Sequence, residues 1–115
     1  MTVIDMNKAS FEKYTNADTP ALVAFGAPWC IHCCRINRPL KKIAKEFGND
    51  LVVGHVDIDF ERPLAWREQV KSIPTVFLYQ NGKRLGKIVA PKTYEQLTEF
   101  INSSLNNTVN NKDEK

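Results

Sequence analysis

Two thiols three residues apart, in Trp29-Cys30-Ile31-His32-Cys33, offer the most chemistry in this 115-residue chain. On a first helical turn this spacing brings the two Cα atoms within disulfide range. The loop closed is tiny and contributes only about 2 kcal/mol by chain entropy, so the bond can be made and broken without unfolding the protein. A Cys-x-x-Cys beside a strand-helix-strand pattern therefore reads as a redox-active pair rather than a structural staple. Cys30 opens the helix, where unpaired N–H groups and the macrodipole favour a thiolate. Its pKa is expected below the free value of about 8.5, which makes it the attacking nucleophile. Cys33 shares a helical stripe with Ile36, Leu40 and Phe47 and is expected to face inward as the resolving thiol.

The neighbours qualify this chemistry. An imidazolium at His32 adds positive charge beside Cys30, and a better leaving thiolate makes a more oxidising disulfide. His55 lies mid-strand and is a candidate to take a proton from Cys33; a hydrogen-bonded core histidine is the plain alternative. Cys34 is about 100° round the helix from Cys33, toward Arg38, Lys41 and Lys45, and is expected to be a partly exposed bystander. Trp29 is expected to act as a lid, and Trp66 to serve packing. Cys30, His32, Cys33 and Cys34 crowd one helical turn and cannot readily surround an ion, so no metal site is expected. Asp57 and Asp59 follow a strand without a further acidic partner. Neither a Gly-rich phosphate loop nor a Ser-His-Asp order is present, and no organic cofactor is expected.

Several elements must hold this pair. Pro20-Ala-Leu-Val-Ala-Phe25 is apolar throughout and closed by Gly26 and Pro28, as in a central strand covered on both faces. Leu51–Ile58 is a second such run, and the helix between them carries Ile36, Leu40, Ile43, Ala44 and Phe47 on one side. Strand, helix, strand implies a parallel pair with a right-handed crossover. Downstream, Thr75–Gln80 and Arg84–Val89 flank Asn81-Gly82, a strong hairpin signal. Thr93 and Gln96 form a capping box ahead of a last helix with Leu97, Phe100, Ile101 and Leu105 on its buried stripe. Val3-Ile4 adds an edge strand, Ser10–Tyr14 a short helix, and Pro63–Val70 another that begins with proline. The sum is an α/β chain: a mixed sheet of about five strands with helices on both faces.

With these pieces in register, residues 1–105 resemble the thioredoxin family. The resemblance rests on Trp29-Cys-x-x-Cys33 after a strand, Ile73-Pro74-Thr75 downstream, Asn81-Gly82 and the capped last helix. It implies the thioredoxin fold, a cis peptide at Ile73-Pro74 and a substrate groove bordered by Trp29, Ile31, Ile73, Pro74, Thr75, Val89 and Ala90. It also implies exchange with protein disulfides, and an electron donor such as a thioredoxin reductase or the glutathione system. The departures are specific. Ala24 stands where the family's buried Asp helps deprotonate the resolving thiol, and His55 replaces its lysine on the third strand. Ile31-His32 replaces Gly-Pro, Gly26 a Trp and Ala90 a groove Gly, and Pro39 comes one residue late. His55 is thus a candidate replacement for the lost carboxylate.

Composition fits one domain. Hydrophobic residues make up 43% and charged residues 25%, and a chain this long buries roughly two thirds of its unfolded surface. A net charge of +3 from 16 basic and 13 acidic residues, interspersed, carries no nucleic-acid footprint. No cationic leader with an apolar core opens the chain and no 18-residue apolar run occurs. The expectation is a cytoplasmic monomer without membrane association. Residues 106–115 hold one apolar side chain and are expected as a disordered polar tail. The reading is a thiol–disulfide oxidoreductase, a protein-disulfide reductase more oxidising than typical thioredoxins, with oxidase or isomerase direction open. The alternatives are a non-catalytic binding module and a metal-carrying dithiol protein.

Overall fold

The computed structural model describes the backbone of residues 2–113 and the side chains of residues 2–106. Strands β1 (Ile4–Asp5), β2 (Ala21–Gly26), β3 (Val52–Asp57), β4 (Thr75–Gln80) and β5 (Lys83–Val89) form one sheet in the order β1-β3-β2-β4-β5. The pairs β1·β3 and β2·β3 are parallel, and β2·β4 and β4·β5 antiparallel. This is the thioredoxin fold and the mixed sheet expected. Helices α1 (Lys8–Thr15), α2 (Ile31–Arg35), α3 (Asn37–Phe47), α4 (Arg62–Arg67) and α5 (Tyr94–Asp113) cover it.

All six residues of β2 are buried because both faces are covered. Leu22 and Ala24 pack with Leu40 and Ile43 of α3 and with Leu97 and Ile101 of α5. On the other face Val23 and Phe25 meet Phe11 of α1, Leu64 of α4 and Phe77 of β4. Each fully buried Leu, Ile or Phe contributes about 1.5–3 kcal/mol relative to exposure, which makes β2 a fixed base for the residues that follow it.

Local chemistry explains the boundaries. Asn7 caps α1 through a reciprocal pair with Ser10, so that helix starts earlier than its apolar residues indicate. The single helix expected from Cys30 through Phe47 is broken at Ile36. Pro39 has no N–H to offer the Arg35 carbonyl four residues back, and its ring crowds that carbonyl. The stripe survives the break: Cys33, Ile36, Leu40 and Ile43 are all buried. Asn81 and Gly82 take φ of 53° and 78° in the hairpin, the left-handed pair that a two-residue turn requires. Gln96 N–H donates to Thr93 Oγ1 at 3.0 Å and Gln96 Oε1 accepts Thr93 N–H at 3.3 Å, the expected capping box. The α4 helix ends at Arg67, sooner than the expected Val70. Helix α5 continues past the boundary read at 105. The tail expected at 106–115 lies, from residue 107 in its side chains, outside the described residues.

Candidate active site

The chain leaves β2 at Gly26 and turns through Ala27, Pro28 and Trp29 to Cys30. Cys30 is the N-cap of α2, with φ −92° and ψ 115°. Its Sγ accepts the backbone N–H of Cys33 at 3.3 Å, and a donor aimed at sulfur stabilises negative charge there. Cys30 is 9% exposed and Cys33 4%, both as free thiols. Burial pushes the Cys33 thiol well above the ordinary thiol range. Its contact with the Cys30 sulfur raises it further, against a smaller lowering by a backbone hydrogen bond at Ala27. The two sulfurs therefore sit in unequal surroundings. Cys34 is exposed, and its Sγ donates to the Pro28 carbonyl at 3.5 Å.

Ala27, Cys30 and Cys33 form a small apolar cluster against Ile58 and Ile73. The Ile73-Pro74 peptide is cis, as the resemblance implied. The Pro74 carbonyl accepts Ala90 N–H at 2.8 Å, and Val89 pairs with Thr75, so this loop and the end of β5 are locked together. Trp29 and Ile31 are each 67% exposed and Val89 is 47% exposed, an apolar rim. Ala90 is exposed too, with a left-handed φ of 52°. Thr75 is buried and its hydroxyl donates to the Ser72 carbonyl at 2.6 Å, so its side chain braces the loop from inside.

Trp29 borders the site without sealing it. Its indole N–H donates to Asp59 Oδ2 at 2.7 Å, and Asp59 N–H donates to Asp57 Oδ1 at 2.9 Å. Asp59 is a supporting residue that sequence reasoning missed, because its partner is thirty positions away. Ile58, packed against Ala27, Cys30 and Cys33 from far along the chain, was missed for the same reason. Trp66, expected to pack, is 84% exposed. The short α4 buries Leu64 and Ala65, and the next residue is carried about 100° round to solvent.

His55 stands half-buried on β3 between Ala24 of β2 and Asp5 of β1. Burial lowers its pKa, partly offset by the negative charges of Asp5 and Asp57. A methyl group on Gly26 would lie 2.9 Å from Cys33 Sγ and 3.3 Å from His55 Nε2. The resolving thiol and the imidazole thus flank one small space that only glycine leaves open. Gly26→Ala is expected to cost about 1–3 kcal/mol by overpacking, read as a lowered urea midpoint; an unchanged midpoint contradicts this packing. His32 does not join His55. It is exposed on α2 and lines a different cleft, so the two histidines serve different sides of the pair. Among the described residues, no group of three or more His, Cys, Asp and Glu is placed to hold a metal. No helix there is long and apolar enough to cross a membrane.

Comparison with known proteins agrees with this geometry. The thioredoxin family model matches residues 2–103. A thioredoxin from Haemophilus influenzae is 34% identical over 90% of this chain and 97% of its own length. A thioredoxin domain-containing protein from Theileria parva is 33% identical over 90% of this chain, which spans only 50% of that relative. In three dimensions the crystal structure of thioredoxin from Trypanosoma brucei brucei superposes with a TM-score of 0.82 at 26% identity, covering 91% of this chain and 92% of that one. A family match across nearly the whole described chain, with the cysteine pair and cis proline in place, means that this chain belongs to the thioredoxin family.

Proposed function

We propose that the chain is a thiol–disulfide oxidoreductase acting on protein disulfides through Cys30 and Cys33. The observation that carries this is the Cys33 N–H directed at Cys30 Sγ while the Cys33 thiol lies buried behind it. Cys30 thiolate attacks a substrate disulfide, forming one S–S bond to the near sulfur and releasing the far sulfur as a thiolate, which takes up a proton. Cys33 gives its proton to His55 across the space beside Gly26. The Cys33 sulfur then attacks the Cys30 sulfur, closing the Cys30–Cys33 disulfide and expelling the second substrate thiolate. The substrate gains two electrons and the protein loses them; a dithiol donor restores the thiols. Trp29, Ile31, Ile73, Pro74, Val89 and Ala90 border the groove where the mixed disulfide sits.

His32 tunes the poise in this reading. His32 is exposed on α2 two residues beyond Cys30, where its ring can donate a hydrogen bond or place positive charge beside the sulfur, and stabilising the reduced form makes the disulfide more oxidising than in typical thioredoxins. His32→Ala is expected to shift the potential negative by about 30 mV, a tenfold change in the equilibrium constant for two electrons. Equilibration with glutathione buffers followed by mass spectrometry of the alkylated protein measures it; an unshifted potential removes His32 from the account. The activity itself is tested by insulin reduction with the dithiothreitol-reduced protein. Inertness with native folding would leave a binding module instead.

A further inference from the structure

We propose that His32, Arg35 and Lys92 form a carboxylate-binding subsite that favours disulfide substrates carrying an acidic group next to the reacting sulfur. The inference rests on the reading of Cys30 as the nucleophile and adds a substrate class to it. A depression of about 330 Å³ lies between α2 and the segment joining β5 to α5, lined by His32, Arg35, Ala90, Pro91 and Lys92. Three side chains that can carry positive charge surround an apolar floor of Ala90 and Pro91. No carboxylate lines it; Glu95, the acidic residue nearest Lys92 in sequence, is absent from its wall. The ion pairs formed among the described residues join Arg67 and Arg84 to Glu12 and Glu68, and engage neither Arg35 nor Lys92.

The floor is held in place. Ala90 N–H donates to the Pro74 carbonyl at 2.8 Å, and Lys92 N–H donates to Gln96 Oε1 at 2.6 Å. The backbone under the subsite is therefore fixed to the cis-proline loop on one side and to the cap of α5 on the other. Arg35 is exposed on α2 and presents a planar guanidinium suited to bidentate contact with a carboxylate, with Lys92 as a second, more flexible point charge. His32 is two residues from Cys30, so a substrate sulfur bonded to Cys30 brings the residues beside it to this depression.

The test is single-turnover reduction of three small disulfides by the pre-reduced protein, each rate divided by that with dithiothreitol to remove intrinsic reactivity. Oxidised glutathione supplies carboxylates, hydroxyethyl disulfide is neutral, and cystamine is cationic. Exposed ion pairs are individually weak, so oxidised glutathione is expected to exceed the neutral disulfide by about 3- to 10-fold, with cystamine slowest. The preference should collapse near 1 M salt, where the screening length is about 3 Å; this arm needs no variant. R35Q/K92Q should bring the three normalised rates together, and R35E/K92E should place cystamine first. A pair of cysteine-peptide disulfides with Glu or Gln beside the sulfur separates general acidic neighbours from glutathione itself. Equal normalised rates in an active protein, or a preference untouched by salt, overturn the subsite alone. Inertness toward all three disulfides overturns the parent reading and the subsite with it.

Discussion

Cys30→Ser abolishes disulfide exchange, whereas Cys33→Ser stops it after the first half. Without Cys30 no sulfur at the groove can attack. Cys33 is buried with its thiol proton held tightly, and Cys34 turns away to the Pro28 carbonyl. Insulin reduction should fall by about 1000-fold or more, as when a nucleophile is removed from other covalent mechanisms. Cys33→Ser leaves Cys30 and its position at the N-cap, so the first bond still forms and the mixed disulfide accumulates. Non-reducing mass spectrometry should find about one substrate per chain, released by dithiothreitol. Residual turnover in Cys30→Ser, or failure to trap in Cys33→Ser, contradicts the division of labour.

His55→Ala is expected to slow the second half by about 100-fold, the lower range for loss of a general base, while the rate of mixed-disulfide formation stays within a factor of about two. The family's carboxylate is missing at Ala24, and His55 occupies the neighbouring position on β3, across the Gly26 space from Cys33. Its lowered pKa keeps the imidazole neutral at pH 7, which is the form that accepts a proton. The sign of the pH dependence follows. In the parent protein, resolution weakens as pH falls through the His55 pKa, below the ordinary value of about 6.5. In the variant it climbs with pH without that step, tracking ionisation of Cys33 itself. Clefts of about 360 and 450 Å³ reach His55 from two sides, so added imidazole should restore part of the rate. Stopped-flow resolution of a pre-formed mixed disulfide measures all three; an unchanged resolving rate leaves His55 a core histidine.

The sheet and its crossover were legible because they rest on local patterns: an all-apolar β2, a helical stripe through Cys33 and Leu40, and Asn81-Gly82 with two positive φ values. The cysteine pair was legible because its meaning depends on where a strand ends. The cis Ile73-Pro74 bond entered only through resemblance. What stayed hidden involves contacts across the fold. Asp59 holds Trp29 from another strand end, and Lys92 joins His32 and Arg35 through a loop 57 positions beyond Arg35. The break at Ile36 was readable in principle from Pro39, but the continuous stripe masks it, since burial is satisfied on both sides of the break. Trp66 defeated the rule that large aromatics pack, because α4 is too short to bury more than Leu64 and Ala65. The Gly26 space has no signal in sequence beyond the glycine itself.

Exchange at this site depends most on the inequality of two thiols in one turn. Brief alkylation of the fully reduced protein with iodoacetamide at pH 7, with each site assigned from fragment ions, measures it directly. Cys30 should be modified rapidly and Cys33 protected by at least about tenfold in rate, with the Cys33 rate climbing only as pH approaches its raised thiol range. Equal rates at the two positions, or Cys33 reacting first, would contradict it.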